Sequence, residues 1–224
     1  MAGFRVHFVT AAGMGGVVGT TLLQGGILEP QGVVIGFFLA TLGGLLPDVD
    51  ADHSTLLGTG MTMVALTVSF LVLFRYSDHH TVLELLGLWL ACYLLFKWVV
   101  FGIVTRLTIH RGLFHSLPAA VLAGFLTIMV LYHLFGWANR LSWLGGGFVL
   151  LGYVLHLLLD EMASLNVFGI QGVRHSLGSA FKWRSPDLIP TLGVYLALFL
   201  VFPMLPDPAG LWEDLTVAGA WPIF

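Results

Sequence analysis

The chain has 224 residues, 58% of them hydrophobic and only 9% charged, with a formal net charge of -3. An average soluble domain carries about 25% charged residues, so this chain has too few to coat a water-soluble globule. Its apolar content excludes disorder, and 9 Lys and Arg against 12 Asp and Glu exclude a nucleic-acid-binding surface. What remains is an all-α integral membrane protein, a polytopic helical bundle forming one domain over residues 1–224. Membrane lipids are its expected partners, and no nucleic acid is. The single cysteine, Cys92, lies in an apolar run, which leaves no disulfide framework and no thiolate metal site.

A helix needs about 20 apolar residues to cross a hydrocarbon core about 30 Å thick. About seven spans are expected, with a range of 5–7, because the first candidate, at about 6–24, is diluted by Gly13, Gly15, Gly16 and Gly19. Closely spaced glycines let a second helix approach. The single Arg, the glycine-rich run and the lack of a cleavage site argue against a removed signal peptide. The second span, about 31–47, ends at Pro47 and delivers the loop Asp48-Val49-Asp50-Ala51-Asp52-His53. The third and fourth, about 58–74 and 82–104, flank a polar connector with Arg75, Asp78, His79 and His80. A second connector holds His110, Arg111, His115 and Ser116. The fifth and sixth spans, about 117–138 and 141–159, lead to His156 and Asp160. Arg174 and His175 fall in the long connector that follows, before a seventh span at about 188–206.

Positive charges between the spans set the orientation. Six lie on the side of the N-terminus and two, Arg75 and Arg140, on the other, with Lys97 inside a span. The N-terminus is therefore expected in the cytoplasm and, with seven spans, the C-terminus outside. On the cytoplasmic side fall His7, Asp48, Asp50, Asp52, His53, His110, Arg111, His115, Asp160, Glu161, Arg174 and His175, with His156 one turn deeper. Asp at a helix centre costs about 2.5–3.5 kcal/mol on the insertion scale, so such groups normally line a polar interior. Ionisable residues from four separate segments on one face point to one site.

Three constellations carry that expectation. Asp48 and Asp50 stand two apart at the mouth of the second span, where both can reach one cation or bridge two, although a solvated acidic loop has the same pattern. His110 and His115 bracket Arg111 and Gly112; imidazoles suit Zn, Mn or Fe, and a guanidinium suits a phosphate or carboxylate. His156 and Asp160 are four apart on one helix face, so they can ligate one ion or Asp160 can orient the imidazole. His79 and His80 read as solvated loop and His133 as interfacial.

These segments, in this order, resemble the YdjM family of bacterial inner-membrane proteins, described as membrane-bound metal-dependent hydrolases. The resembling residues are the early His7, Gly-x-Leu-Leu-Pro-Asp-x-Asp at 43–50, His-Arg-Gly-x-x-His-Ser-Leu at 110–117 and Gly-Tyr-x-x-His-x-x-x-Asp at 152–160. The chain departs from the family at Ala51, Asp52, His53 and Ser54, where a His and then a Pro usually follow. The resemblance implies a divalent-metal hydrolase site in the inner membrane, facing the cytoplasm by the charge count.

The candidate ligands are His7, Asp48, Asp50, His110, His115, His156 and Asp160. One catalytic Zn needs about three protein ligands plus water, so seven suit two ions, or one ion with a spare base such as Asp50. Zn is the expected metal, with Mn or Mg as alternatives. The expected reaction is hydrolysis of a phosphoester or lipid-linked phosphate by a metal-activated water, with Arg111 meeting charge on the phosphoryl oxygen. Ser116 is expected to hydrogen-bond a ligand, and Asp52, His53, Arg174 and His175 to stand behind the ligands or meet substrate. A divalent-cation transporter is one rival reading, since intramembrane His and Asp also line ion paths. The other is a membrane protein whose metal serves folding alone.

Overall fold

The computed structural model describes residues 3–50, 55–78, 80–100, 115–164, 182–184, 188–209 and 211. Its α-helices are α1 (Phe4–Gln24), α2 (Pro30–Leu45), α3 (Thr55–Tyr76), α4 (Val82–Leu94), α5 (Leu117–Met129), α6 (Asn139–Ser164) and α7 (Leu188–Val201). Each expected span thus contains a helix. Among the described residues, five helical segments are long and apolar enough to cross a membrane: Phe4–Gln24, Pro30–Asp48, Val82–Val99, Leu117–Leu134 and Asn139–Ala163. The protein is a helical membrane protein.

Local chemistry explains several boundaries. Helix α1 stops at a Schellman-type cap: Gly26 takes φ 70°, and the Ile27 N–H donates to the Leu22 carbonyl at 2.9 Å. Pro30 opens α2, where its missing N–H costs nothing. Helix α4 begins with a capping box in which the Thr81 hydroxyl accepts from the Glu84 N–H and the Glu84 carboxylate accepts from the Thr81 N–H. Ser116 caps α5, its hydroxyl accepting from the Ala119 N–H. Helices α4 and α5 pass into π-helical turns at Leu95–Val100 and Val130–Leu134, and α2 passes into a 3-10 turn at Leu46–Asp50.

The chain divides into two compact units, Met1–Pro47 with Gly112–Phe224, and Asp48–Arg111. In the second unit α3 packs on α4, with the Phe70 and Trp89 rings 5.6 Å apart and Trp89 stacked on Tyr93. In the first unit α2 lies between α1 and α6, while α5 packs on both α6 and α7. Glycine makes the α2–α6 contact close: a Cβ on Gly152 would run into the Ala40 carbonyl oxygen, and one on Gly43 into the Val149 carbonyl. Backbone meets backbone here, the arrangement that small residues permit in membranes. Buried Leu28, Ala40 and Phe148 form one core cluster, and Ala119, Ala120, Tyr153 and Leu157 form another. With α1, α2 and α6 drawn this close, the start of α1, the end of α2 and the last turns of α6 meet at one end of the unit.

Candidate metal centre

Four described side chains of the first unit converge at that end. His7 comes from the second turn of α1, His115 from the residue before the Ser116 cap, and His156 and Asp160 from successive turns of α6. His7 and His156 are 1% exposed and Asp160 6%. His7 Nε2 lies 3.3 Å from Asp160 Oδ1; His115 Nε2 and His156 Nε2 lie 3.5 and 3.7 Å from Asp160 Oδ2. The His7 and His156 rings stack with centroids 3.8 Å apart at 16°, and His115 meets His156 edge-on at 5.5 Å.

The backbone decides which way the His156 ring is protonated. Its Nδ1 is 2.7 Å from the Gly44 carbonyl oxygen, and a carbonyl can only accept, so Nδ1 carries the proton. In the neutral ring Nε2 then presents a lone pair toward the Asp160 carboxylate. Two lone pairs facing each other across 3.7 Å call for a positive charge near both. A protonated imidazole would supply it for that ring alone. A divalent cation meets the three rings and the carboxylate at once. His115 Nε2 is likewise buried and makes no hydrogen bond, as a nitrogen reserved for a ligand would be.

Distance and donor type fit the same reading. Ligand atoms on a tetrahedral ion with bonds of about 2.0–2.1 Å are about 3.3–3.4 Å apart. The three separations from Asp160 start at that value and exceed it slightly. His7, His156 and Asp160 offer atoms that all lie within 4.8 Å of one another, a buried group able to hold a metal ion. The carbonyl behind His156 is the outer partner that metal-bound histidines usually have. The Ser116–Lys182 bridge fixes the backbone beside His115, with the Leu117 N–H donating to the Lys182 carbonyl at 3.1 Å.

Asp48 and Asp50 lie on the 3-10 turn after α2, with Asp48 half-buried, at the start of the second unit. Asp52, His53, His110, Arg111, Arg174 and His175 lie outside the described residues. Ser116 is buried and serves as the α5 cap. His80 pairs with Glu84 at 3.7 Å on an exposed surface, as the solvated reading expects, His79 lies outside the described residues, and His133 meets the Met204 carbonyl at 2.8 Å. One participant carried no sequence signal: the Gly44 carbonyl, which no side-chain motif can announce; Glu161, next in sequence to Asp160, is buried as well.

A family model described as YdjM inner membrane protein matches residues 1–218. Searches of curated proteins and of solved structures return no match.

Proposed function

The chain belongs to the YdjM inner membrane protein family, and from that premise we propose that it is a membrane-embedded metal-dependent hydrolase acting on a phosphoester or a lipid-linked phosphate. The observation that carries the reading is the Asp160 carboxylate faced by three imidazole nitrogens at 3.3–3.7 Å, buried in a helical bundle. His7, His156 and Asp160 would hold the ion, with His115 completing the set; zinc suits this nitrogen-rich donor group best, and Mn or Mg are the alternatives. When bound, the ion supplies Lewis acidity and a water acidified toward neutral pH.

The chain's own residues provide placement. The Gly44 carbonyl holds the His156 tautomer, stacking on His7 keeps both rings from rotating, and Asp160 presents its two oxygens to different rings. A site oriented by packed helices stays aligned without further reorganisation. Charge on the phosphoryl oxygen met by Arg111 and a spare base in Asp50 belong to the same proposal and rest on the sequence alone, as does a cytoplasmic orientation of the site.

The test is metal content by mass spectrometry of the detergent-purified protein and of Asp160→Asn and His156→Ala, followed by a phosphoester panel. One or two equivalents of metal, lost together with turnover in both variants, is the expected result. Turnover unchanged in both variants removes this site from the reaction. The near-complete burial of His7 and His156 favours one further reading, a metal that serves folding alone. Metal at full occupancy with no turnover of any phosphoester would select it.

A further inference from the structure

The four groups of the metal centre differ in how open they are. The His7 side chain is 1% exposed, that of His156 0% and that of Asp160 6%, whereas His115 is 17% exposed. A substrate therefore approaches across His115, and whatever stands beside that residue meets it first. There the fold places a segment from far along the chain. Lys182 pairs with Ser116 in a parallel bridge, and its carbonyl accepts from the Leu117 N–H at 3.1 Å. We propose that Lys182 binds the phosphate of the substrate as it reaches the metal centre over His115. The proposal deepens the hydrolase reading and rests on it.

Placement carries it. Paired backbones of this kind lie about 4.8 Å apart, so residue 182 stands one backbone spacing from the residue that follows His115. The segment is held from its other side as well, by the Tyr195 hydroxyl of α7 donating to the Trp183 carbonyl at 2.9 Å. Both anchors use the main chain of the segment. They fix where residue 182 sits and leave its side chain out of the fastening. Lysine carries its charge on a flexible four-carbon stem, which suits a group that follows a phosphate toward an ion.

Charge then selects the ligand. Lys182 is half-buried, and among the described residues its ammonium has neither a carboxylate partner nor a hydrogen bond. Lys97, in contrast, donates to the Tyr93 hydroxyl at 2.8 Å within its own span. An ammonium beside a divalent-cation site favours an anion that both can hold, and a phosphate has oxygens for each. A neutral ester or an amide offers no such charge. Arg111 is the cation that the sequence pattern suggests for this role; Lys182 is the one that tertiary structure brings.

A soluble ester and a lipid head group share this phosphate, and two probes separate them. One is radiolabelled inorganic phosphate in equilibrium dialysis; the other is phosphatidic acid against phosphatidylcholine in native mass spectrometry, each on the zinc-loaded full chain in detergent. Lys182→Met is expected to bind the probes about tenfold more weakly than wild type, the scale of one hydrogen bond to a charged group. Zinc content and thermal unfolding should stay unchanged, because the bridge is made by main chain. Lys182→Arg should recover most of the affinity, since the charge returns. A loss confined to one probe would support the contact and name the source of the phosphate. Wild-type affinity of Lys182→Met for both probes would overturn the proposal and leave the hydrolase reading standing. Loss of zinc in that variant would do the same, by making the segment a brace for the ligands. Wild type that holds zinc and binds neither probe would overturn both.

Discussion

The two ends of α6 use polar side chains in opposite ways. At its start, donors reach backbone carbonyls: Arg140 to Ile27, Trp143 Nε1 to Pro206 at 3.0 Å, and Asn139 Nδ2 to Asp207. His133, from the π-turn after α5, meets the Met204 carbonyl in the same region. Each such contact contributes about 1 kcal/mol and ties chain segments distant in sequence to the bundle. At the other end of α6, His156 and Asp160 meet side chains from two further segments, and only the Gly44 carbonyl plays the stitching part. A donor on a carbonyl is a finished interaction. Three imidazoles around one carboxylate are instead a set of donor atoms that one cation can share. The difference between structure and function here lies in what the polar groups face, since the residue types overlap.

That contrast can be attacked in order of expected effect. Gly152→Leu should disrupt both ends, because the new side chain meets the Ala40 backbone; overpacking of this kind costs about 1–3 kcal/mol and more where backbone must move. A thermal unfolding curve in detergent that matches wild type would show that the α2–α6 contact does not position the site. Asp160→Asn comes next. It should weaken metal binding beyond the about 10–100-fold typical of changes to outer partners, measured by chelator competition. His115→Ala should give a smaller loss by the same measurement, since its ring is the most exposed of the three at 17%.

At the stitched end, Trp143→Phe removes one hydrogen bond to Pro206 and should cost about 1 kcal/mol of stability with metal content unchanged. Metal loss in that variant would mean that the two ends are coupled. Smallest of all, His80→Gln breaks only an exposed pair with Glu84, so a change within about 0.5 kcal/mol and full metal content are expected.

Membrane class and helical architecture were legible in composition, because a chain with 9% charged residues has one solvent it can fold in. The His156–Asp160 pair was legible from helical spacing, and His7 was marked only by the segments that accompany it. Ser116 read as a ligand-bonding hydroxyl from its neighbours, whereas the fold adds its capping of α5. Periodicity places residues on a face of their own helix, but it carries no information about which faces meet. Tertiary structure decided that His7, about two thirds of the chain length from Asp160, comes within 3.3 Å of it, because glycines such as Gly15, Gly44 and Gly152 let α1, α2 and α6 approach closely. It also decided the protonation of His156 through the Gly44 carbonyl, a group every residue owns and no sequence pattern can single out. Side-chain chemistry is written in the one-dimensional order; the close approach that makes a carboxylate and three imidazoles into one site exists only once the helices have packed.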